Sequence, residues 1–219
     1  MSYAIMSGGG KDSTLALDRS RRNDLDVRYL VNIYEGSTNR VRFHGVRREL
    51  IAKQAQCLNL ELIARHTHPD TFEQAFHSAL QELRDRGVRG VVFGNIHLAD
   101  VRSWYENRVT GAGLEHIEPI WGDPPIELAW EVVERGYQAV VVSVDLGQGA
   151  KTLLGREFDA DLVTELGCTE GPDPCGERGE YHTFAFDGPE FKHPVEFATG
   201  ETVEIEGHRF LDLIPSAHT

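Results

Sequence analysis

Short apolar runs alternate with amphipathic segments in the first half of the chain, as they do in a parallel α/β sheet. The apolar runs predict strands over residues 4–6, 27–33, 60–64, 90–93 and 138–144. Apolar positions at helical spacing predict helices between them, over residues 13–22, 46–58, 71–86 and 100–109. Because ligands of such a sheet bind beyond the carboxyl ends of its strands, we expect a binding site at that edge.

The pattern changes after Pro119. A turn over residues 121–125 precedes a predicted helix over 126–135, and a shorter helix follows near 159–166. Two alternating segments, 202–206 and 209–214, read as strands. We therefore predict a parallel sheet with helices on both faces and a smaller C-terminal α/β lobe packed against it. The predicted domains are residues 1–120 and 121–219.

Composition narrows the classes of function. The 219-residue chain carries a net charge of −13, and this argues against nucleic acid, whose binding depends on Lys and Arg neutralising phosphates. No apolar run approaches the ~20 residues of a membrane span, and the N-terminus lacks a signal pattern. The three cysteines form no C-x-x-C pair, which argues against a disulfide framework and a zinc site. We expect a cytoplasmic protein without membrane contact.

A glycine-rich turn joins the first predicted strand to the first predicted helix, with the sequence Ser7-Gly8-Gly9-Gly10-Lys11-Asp12-Ser13. Glycines let backbone N–H groups approach a ligand, and a helix N-terminus adds partial positive charge. Lys11 is expected to add a mobile full charge, so a phosphate chain is the natural ligand. Spacing excludes a Walker loop and a dinucleotide fingerprint, because Ile5 and Ser13 stand where glycines are required. The structural alternative is a plain strand-to-helix turn.

Acid, base and hydroxyl side chains cluster in a second run, residues 173–184, which contains Glu177, Glu180, His182 and Thr183. Glu180 and His182 are two residues apart, so on a strand they would point to the same side. The carboxylates could bind an ammonium ion or Mg²⁺, or orient the histidine. The alternative is a polar hairpin with solvated carboxylates.

These motifs together resemble a known family. The loop resembles the S-G-G-x-D-S loop of the ATP-pyrophosphatase superfamily, with one extra glycine. Five motifs follow one another along the chain: the loop, Phe93-Gly94-Asn95-Ile96, Arg102 with Trp104, Pro119-Ile120-Trp121, and the run from Cys175 to Thr183. In this order they resemble the diphthine–ammonia ligase family, which is the diphthamide synthetase branch of that superfamily. The resemblance covers nearly the whole chain. Asn95 departs from it, since many relatives carry aspartate there.

The resemblance implies a fold of adenine nucleotide α-hydrolase type (PP-loop), with an ATP-binding domain before residue 121 and a substrate-binding domain after it. It implies a ligase that uses ATP and Mg²⁺ to adenylate a carboxylate and amidate it with ammonia, releasing AMP and pyrophosphate. In the family the acceptor is diphthine on elongation factor 2, and a homodimer is compatible with the sequence. Alternatives are an ATP-pyrophosphatase that acts on another carboxylate or in sulfur transfer, and a non-catalytic AMP- or ATP-binding regulator.

The resemblance also implies roles for individual residues. The expected nucleotide contacts are Ser7, Gly8, Gly9, Gly10, Lys11, Asp12, Ser13, Gly94 and Asn95. The expected catalytic residues are Lys11, Asp12, Glu177, Glu180 and His182, with Asp12 also binding the metal. The expected substrate contacts are Arg102, Glu177, Gly179, Glu180 and Thr183. Arg102 could equally be a surface residue of its helix.

Overall fold

The computed structural model describes residues 1–68, 70–168 and 171–216. Its strands are β1 (Ser2–Met6), β2 (Asp26–Glu35), β3 (Arg40–Val41), β4 (Glu61–Thr67), β5 (Gly90–Val92), β6 (Glu115–Ile117), β7 (Gln138–Asp145), β8 (Tyr181–Asp187), β9 (Phe197–Ile205) and β10 (His208–Pro215). Its helices are α1 (Lys11–Arg22), α2 (Arg48–Cys57), α3 (Phe72–Asp85), α4 (Ala99–Gly111), α5 (Pro125–Glu134) and α6 (Ala160–Cys168), with a 3₁₀ turn at Lys151–Leu153. The end of the predicted second domain, residues 217–219, lies outside the described ranges. None of the described helices is both long and apolar enough to cross a membrane.

β1 is the central strand of the first sheet. It pairs in parallel with β2 on one side and with β5 on the other. β4 pairs in parallel with β2, and β6 pairs in parallel with β5, while the short β3 pairs antiparallel with the end of β2. The direction of strand succession therefore reverses between β1 and β5, and the loops that follow these two strands open on one crevice.

Helices cover both faces of this sheet, as predicted. Leu15 on α1 and Ile51 on α2 belong to one buried cluster, and Phe76 on α3 and Val109 on α4 belong to another. The predicted α/β fold class is confirmed, and the predicted helices differ from the observed ones only by a few residues at their ends.

The second sheet has the order β8-β7-β10-β9, and all of its pairings are antiparallel. The strand predicted over residues 138–144 exists as β7, but our assignment of it to the parallel sheet was wrong. The error has a physical cause, because six consecutive residues of β7, from Ala139 to Val144, are buried. A strand buried on both faces reads as a continuous apolar run, which is the usual signature of a parallel strand.

The two lobes share one hydrophobic core. Leu15 of α1 lies in the same buried cluster as Val132 of α5 and Val141 of β7. A buried carboxylate reinforces this contact: Asp18 on α1 accepts hydrogen bonds from Arg135 Nη2 at 2.7 Å and from the Tyr137 hydroxyl at 3.2 Å. The helix that begins at the glycine loop is therefore fixed to the C-terminal lobe.

We predict that Asp18→Ala lowers the free energy of unfolding by about 1–3 kcal/mol, because it leaves the Tyr137 hydroxyl without its partner and Arg135 without its ion pair. Urea unfolding of the two proteins measures the difference. Asp85→Ala, at an exposed position on α3, is the control and should change stability by no more than about 0.5 kcal/mol. Equal stabilities for the two variants would contradict a stabilising role for Asp18.

Candidate functional site

A cavity of about 580 Å³ opens at the carboxyl edge of the first sheet, between the two lobes. This volume suits a small-molecule site. The structure brings most of the predicted residues to its wall: Ser7, Gly8, Gly10, Lys11, Asp12, Ser13, Gly94, Asn95, Glu177, His182 and Thr183. Gly9 belongs to the same loop but is not among the described lining residues, and neither are Gly179, Glu180 and Arg102.

Close packing explains why the loop after β1 needs its glycines. Gly9 has a φ of +90°, and a Cβ on it would lie 2.7 Å from the side chain of Ile51. A Cβ on Gly8 would lie 2.7 Å from His44 Nε2, and one on Gly10 would lie 3.3 Å from the Thr183 carbonyl oxygen. The extra glycine therefore belongs to a loop that packs closely against His44, Ile51 and Thr183 of β8.

The first turn of α1 offers backbone donors to a ligand. The Lys11 N–H donates to Thr183 Oγ1 at 3.1 Å, and the Thr14 N–H donates to the Gly10 carbonyl at 3.2 Å. The N–H groups of Asp12 and Ser13 have no acceptor among the described residues. A Cβ on Gly94 would lie 2.7 Å from the Ser13 nitrogen, so glycine there keeps the approach open. Unpaired N–H groups at a helix N-terminus fit an anion such as a phosphate.

Lys11 does not provide the mobile charge that we expected. Its side chain is 1% exposed, and Nζ donates to the Cys175 carbonyl at 2.6 Å and to both Asp12 carboxylate oxygens at 3.0 and 3.1 Å. Burial is the largest single effect on its pKa and lowers it, but the charge and hydrogen bonds of Asp12 together with the interactions with Tyr181 and Cys175 outweigh burial, and the pKa is raised. The ammonium therefore remains charged and joins the first turn of α1 to the loop that precedes β8.

Glu177 is a carboxylate whose protonation changes near neutral pH. Its Oε1 accepts a hydrogen bond from the Ile96 N–H at 2.9 Å. Burial, with a smaller contribution from the charge of Asp12, raises its pKa from 4.5 to about 7. Glu177 and Asp12 both line the cavity, Glu177 from the C-terminal lobe and Asp12 from the first turn of α1.

Two imidazoles stand together on the wall of the cavity. The centres of the His44 and His182 rings are 4.5 Å apart. Burial lowers the pKa of both imidazoles, that of His44 to about 4. His44 was missed in the sequence, because β3 and the turn after it are too short to show a pattern. No motif marks this position.

Glu180 and Gly179 order the loop before β8 instead of facing the cavity. The buried Glu180 carboxylate accepts hydrogen bonds from the N–H groups of Asp173 at 2.9 Å and Arg178 at 3.0 Å. The Gly179 N–H donates to the Gly176 carbonyl at 3.0 Å. The expected pairing of Glu180 with His182 does not occur, because Glu180 precedes β8 and its oxygens are used by the backbone.

Arg102 lies behind the cavity wall and contacts Glu118. Its Nε is 3.1 Å from Glu118 Oε2, and its guanidinium carbon is 4.6 Å from the centre of the Trp121 ring. The other oxygen of Glu118 accepts a hydrogen bond from Asn95 Nδ2 at 2.7 Å. An aspartate at position 95 would set a second carboxylate against buried Glu118, so the neutral amide suits these surroundings.

A magnesium ion that arrives with a nucleotide would find carboxylates here. The described residues contain no group of three His, Cys, Asp or Glu side chains arranged to hold a metal. Mg²⁺ is commonly bound by one or two carboxylates together with water and substrate phosphates. Asp12, on the wall of the cavity, fits that binding mode.

Two family models match the chain. One is described as the diphthamide synthase N-terminal domain and matches residues 1–116. The other is described as the diphthamide synthase C-terminal domain and matches residues 124–213. The two matches follow each other along the chain and contain the cavity residues of both lobes.

Curated relatives named diphthine–ammonia ligase are also similar. The human and cattle proteins are each 30% identical over 119 residues, a match that covers 53% of this chain and 45% of theirs. The Schizosaccharomyces pombe protein is 24% identical over 223 residues, covering 90% of this chain and 36% of its own length. The chain thus spans less than half the length of these relatives. On the strength of the two family-model matches, the chain belongs to the diphthamide synthase family.

Proposed function

We propose that this chain is an ATP-dependent amide-forming ligase. It adenylates a carboxylate and amidates it with ammonia, releasing AMP and pyrophosphate. The observation that carries the proposal is a pair of N–H groups, those of Asp12 and Ser13, which have no acceptor among the residues described and lie beside a cavity that Glu177 of the other lobe also lines. The names of the relatives suggest diphthine as the acceptor, and we propose elongation factor 2 as the protein that carries it. We also propose a cytoplasmic location, which the absence of a disulfide framework favours.

Stabilisation of the leaving pyrophosphate is the proposed role of the glycine loop. Negative charge increases on that group as the acceptor oxygen attacks the α-phosphorus, and fixed donors stabilise such charge without reorganising. The N–H groups of Asp12 and Ser13 would supply these donors. Mg²⁺, held by Asp12, would neutralise part of the phosphate charge. Lys11 keeps Asp12 in place and does not itself contact the phosphates.

Glu177 is the proposed base for the second half of the reaction. Ammonium must lose a proton before nitrogen attacks the adenylated carboxylate, and a base is most effective when its pKa is close to the working pH. The pKa of Glu177, about 7, meets this condition, whereas that of His182 lies well below 6.5. His182 would therefore remain neutral and border the acceptor. Glu180, Gly179 and Thr183 would hold the loops in position, and Arg102 would act through Glu118 and Asn95.

Product analysis tests the proposed reaction. The protein is incubated with ATP, Mg²⁺ and ammonium, with and without elongation factor 2 bearing diphthine. We expect AMP and pyrophosphate in equal amounts, with an amide formed on the acceptor. Tight nucleotide binding without turnover would favour a regulator. AMP formation with a different carboxylate would keep the chemistry and replace the acceptor.

We predict that Asp12→Asn lowers the rate of AMP formation by about 10²-fold or more, because the amide keeps the shape of the side chain but loses the charge that faces the metal. Asp85→Asn, on the exposed side of α3, is the control and should keep the full rate. Circular dichroism establishes that both variants fold. A rate for Asp12→Asn within a few-fold of the control would contradict the role given to the Asp12 carboxylate.

We also predict a specific pH dependence of stability. The carboxyl group of Glu177 binds its proton more tightly in the folded protein than in the unfolded chain. Ionisation of this group therefore lowers the free energy of unfolding as the pH rises from 4.5 to about 7. Relative to the wild type, Glu177→Gln should gain about 1–3 kcal/mol in unfolding free energy between pH 5 and pH 8. Urea unfolding at the two pH values measures this gain. A difference between the two proteins that does not change with pH would show that the carboxyl group titrates normally.

A further inference from the structure

His44 lies against the glycine loop, beside Gly8 and Gly10, which line the same cavity. A Cβ on Gly8 would be 2.7 Å from its Nε2, and a Cβ on Gly10 would be 3.2 Å from its Cε1. The edge of the imidazole that carries Nε2 therefore rests on the backbone of this loop. His44 also lines the cavity.

The other ring nitrogen determines which tautomer is present. His44 Nδ1 is 3.3 Å from the Thr183 carbonyl oxygen, and a carbonyl can only accept a hydrogen bond. Nδ1 therefore carries the hydrogen of the neutral ring. Nε2 is left with a free lone pair beside Gly8.

The surroundings keep this imidazole neutral while no anion is bound. Among the described residues, the charged or titratable groups that face it are Lys11 from α1 and His182 from β8. Burial and the positive charge of Lys11 lower the pKa of His44 to about 4. The hydrogen bond to the Thr183 carbonyl offsets burial only in part, and no carboxylate of the described residues contributes to the pKa of the ring, so a bound anion would have a large influence on it.

We propose that His44 is a further phosphate-binding residue of this site, and that its Nε2 takes a proton from solvent when the pyrophosphate part of ATP binds. This inference rests on the proposed nucleotide function. The protonated ring would donate from Nδ1 to Thr183 and from Nε2 to a phosphate oxygen. When pyrophosphate leaves, the proton returns to solvent, and the neutral ring no longer attracts the departing anion.

Calorimetry can count this proton. Pyrophosphate with Mg²⁺ is titrated into the protein at pH 7 in Tris and in PIPES, whose ionisation enthalpies differ. The difference between the two binding enthalpies gives the number of protons taken up per pyrophosphate bound. Because pyrophosphate itself titrates near this pH, the informative quantity is the difference between wild type and variants.

Two substitutions separate the roles of the two ring nitrogens. His44→Asn can still donate to Thr183 but has no group at the Nε2 position, so we expect pyrophosphate affinity to fall about ten- to a hundredfold. His44→Gln reaches the Nε2 position with a group that does not titrate, so it should recover part of the affinity without the proton. Both should take up close to one proton fewer than the wild type. His77→Gln, at an exposed position on α3, is the control and should match the wild type.

The affinity should also depend on pH. Pyrophosphate binding to the wild type should weaken as the pH rises above the pKa that His44 has in the complex, by up to tenfold per pH unit relative to His44→Gln. Equal affinity and equal proton uptake in wild type and His44→Asn would overturn the assignment of His44 while leaving the nucleotide site intact. Failure of the wild type to bind either pyrophosphate or ATP would overturn the proposed function and this inference together.

Discussion

The buried ammonium of Lys11 is the constraint on which the rest of the site depends. A charge with 1% exposure is tolerated only when it is paired and hydrogen-bonded, and here Asp12 and the Cys175 carbonyl provide the partners. Asp12 belongs to the helix that starts at the glycine loop, and Cys175 belongs to the C-terminal lobe. Pairing the Lys11 ammonium with both of these partners therefore requires the two lobes to be in contact at this point.

The other contacts of the loop follow the same arrangement. The Thr183 hydroxyl accepts from the Lys11 N–H, and the Ala185 N–H of β8 donates to the Gly9 carbonyl at 2.9 Å. The edge of the antiparallel sheet thus supports the glycine loop of the parallel sheet from behind. The N–H groups of Asp12 and Ser13, which have no acceptor in the described part of the chain, lie beside the cavity. Preorganised donors of this kind suit the stabilisation of a leaving anion.

Much of this architecture could be predicted from the sequence, because the spacing of apolar residues shows which faces of the helices and strands are buried. The alternating runs indicated the parallel sheet, and the glycines before Lys11 indicated a phosphate loop at its edge. Side-chain environments were harder to predict. The sequence around Lys11 is compatible with a mobile ammonium group or with a buried one. In the same way, the sequence around Glu180 is compatible with a carboxylate that faces a ligand or with one that binds backbone N–H groups. His44 had no local signal at all, since its position beside Gly8 depends on how β3, α2 and β8 pack.

The most direct test of the proposed site is a crystal structure of the chain with a non-hydrolysable ATP analogue and Mg²⁺. We expect a triphosphate in the cavity, with oxygens of its β- and γ-phosphates within hydrogen-bond distance of the Asp12 and Ser13 nitrogens. We also expect Lys11 Nζ to remain on Cys175 and Asp12. A triphosphate bound elsewhere, or a Lys11 side chain that leaves its buried position to reach the phosphates, would contradict the proposed site.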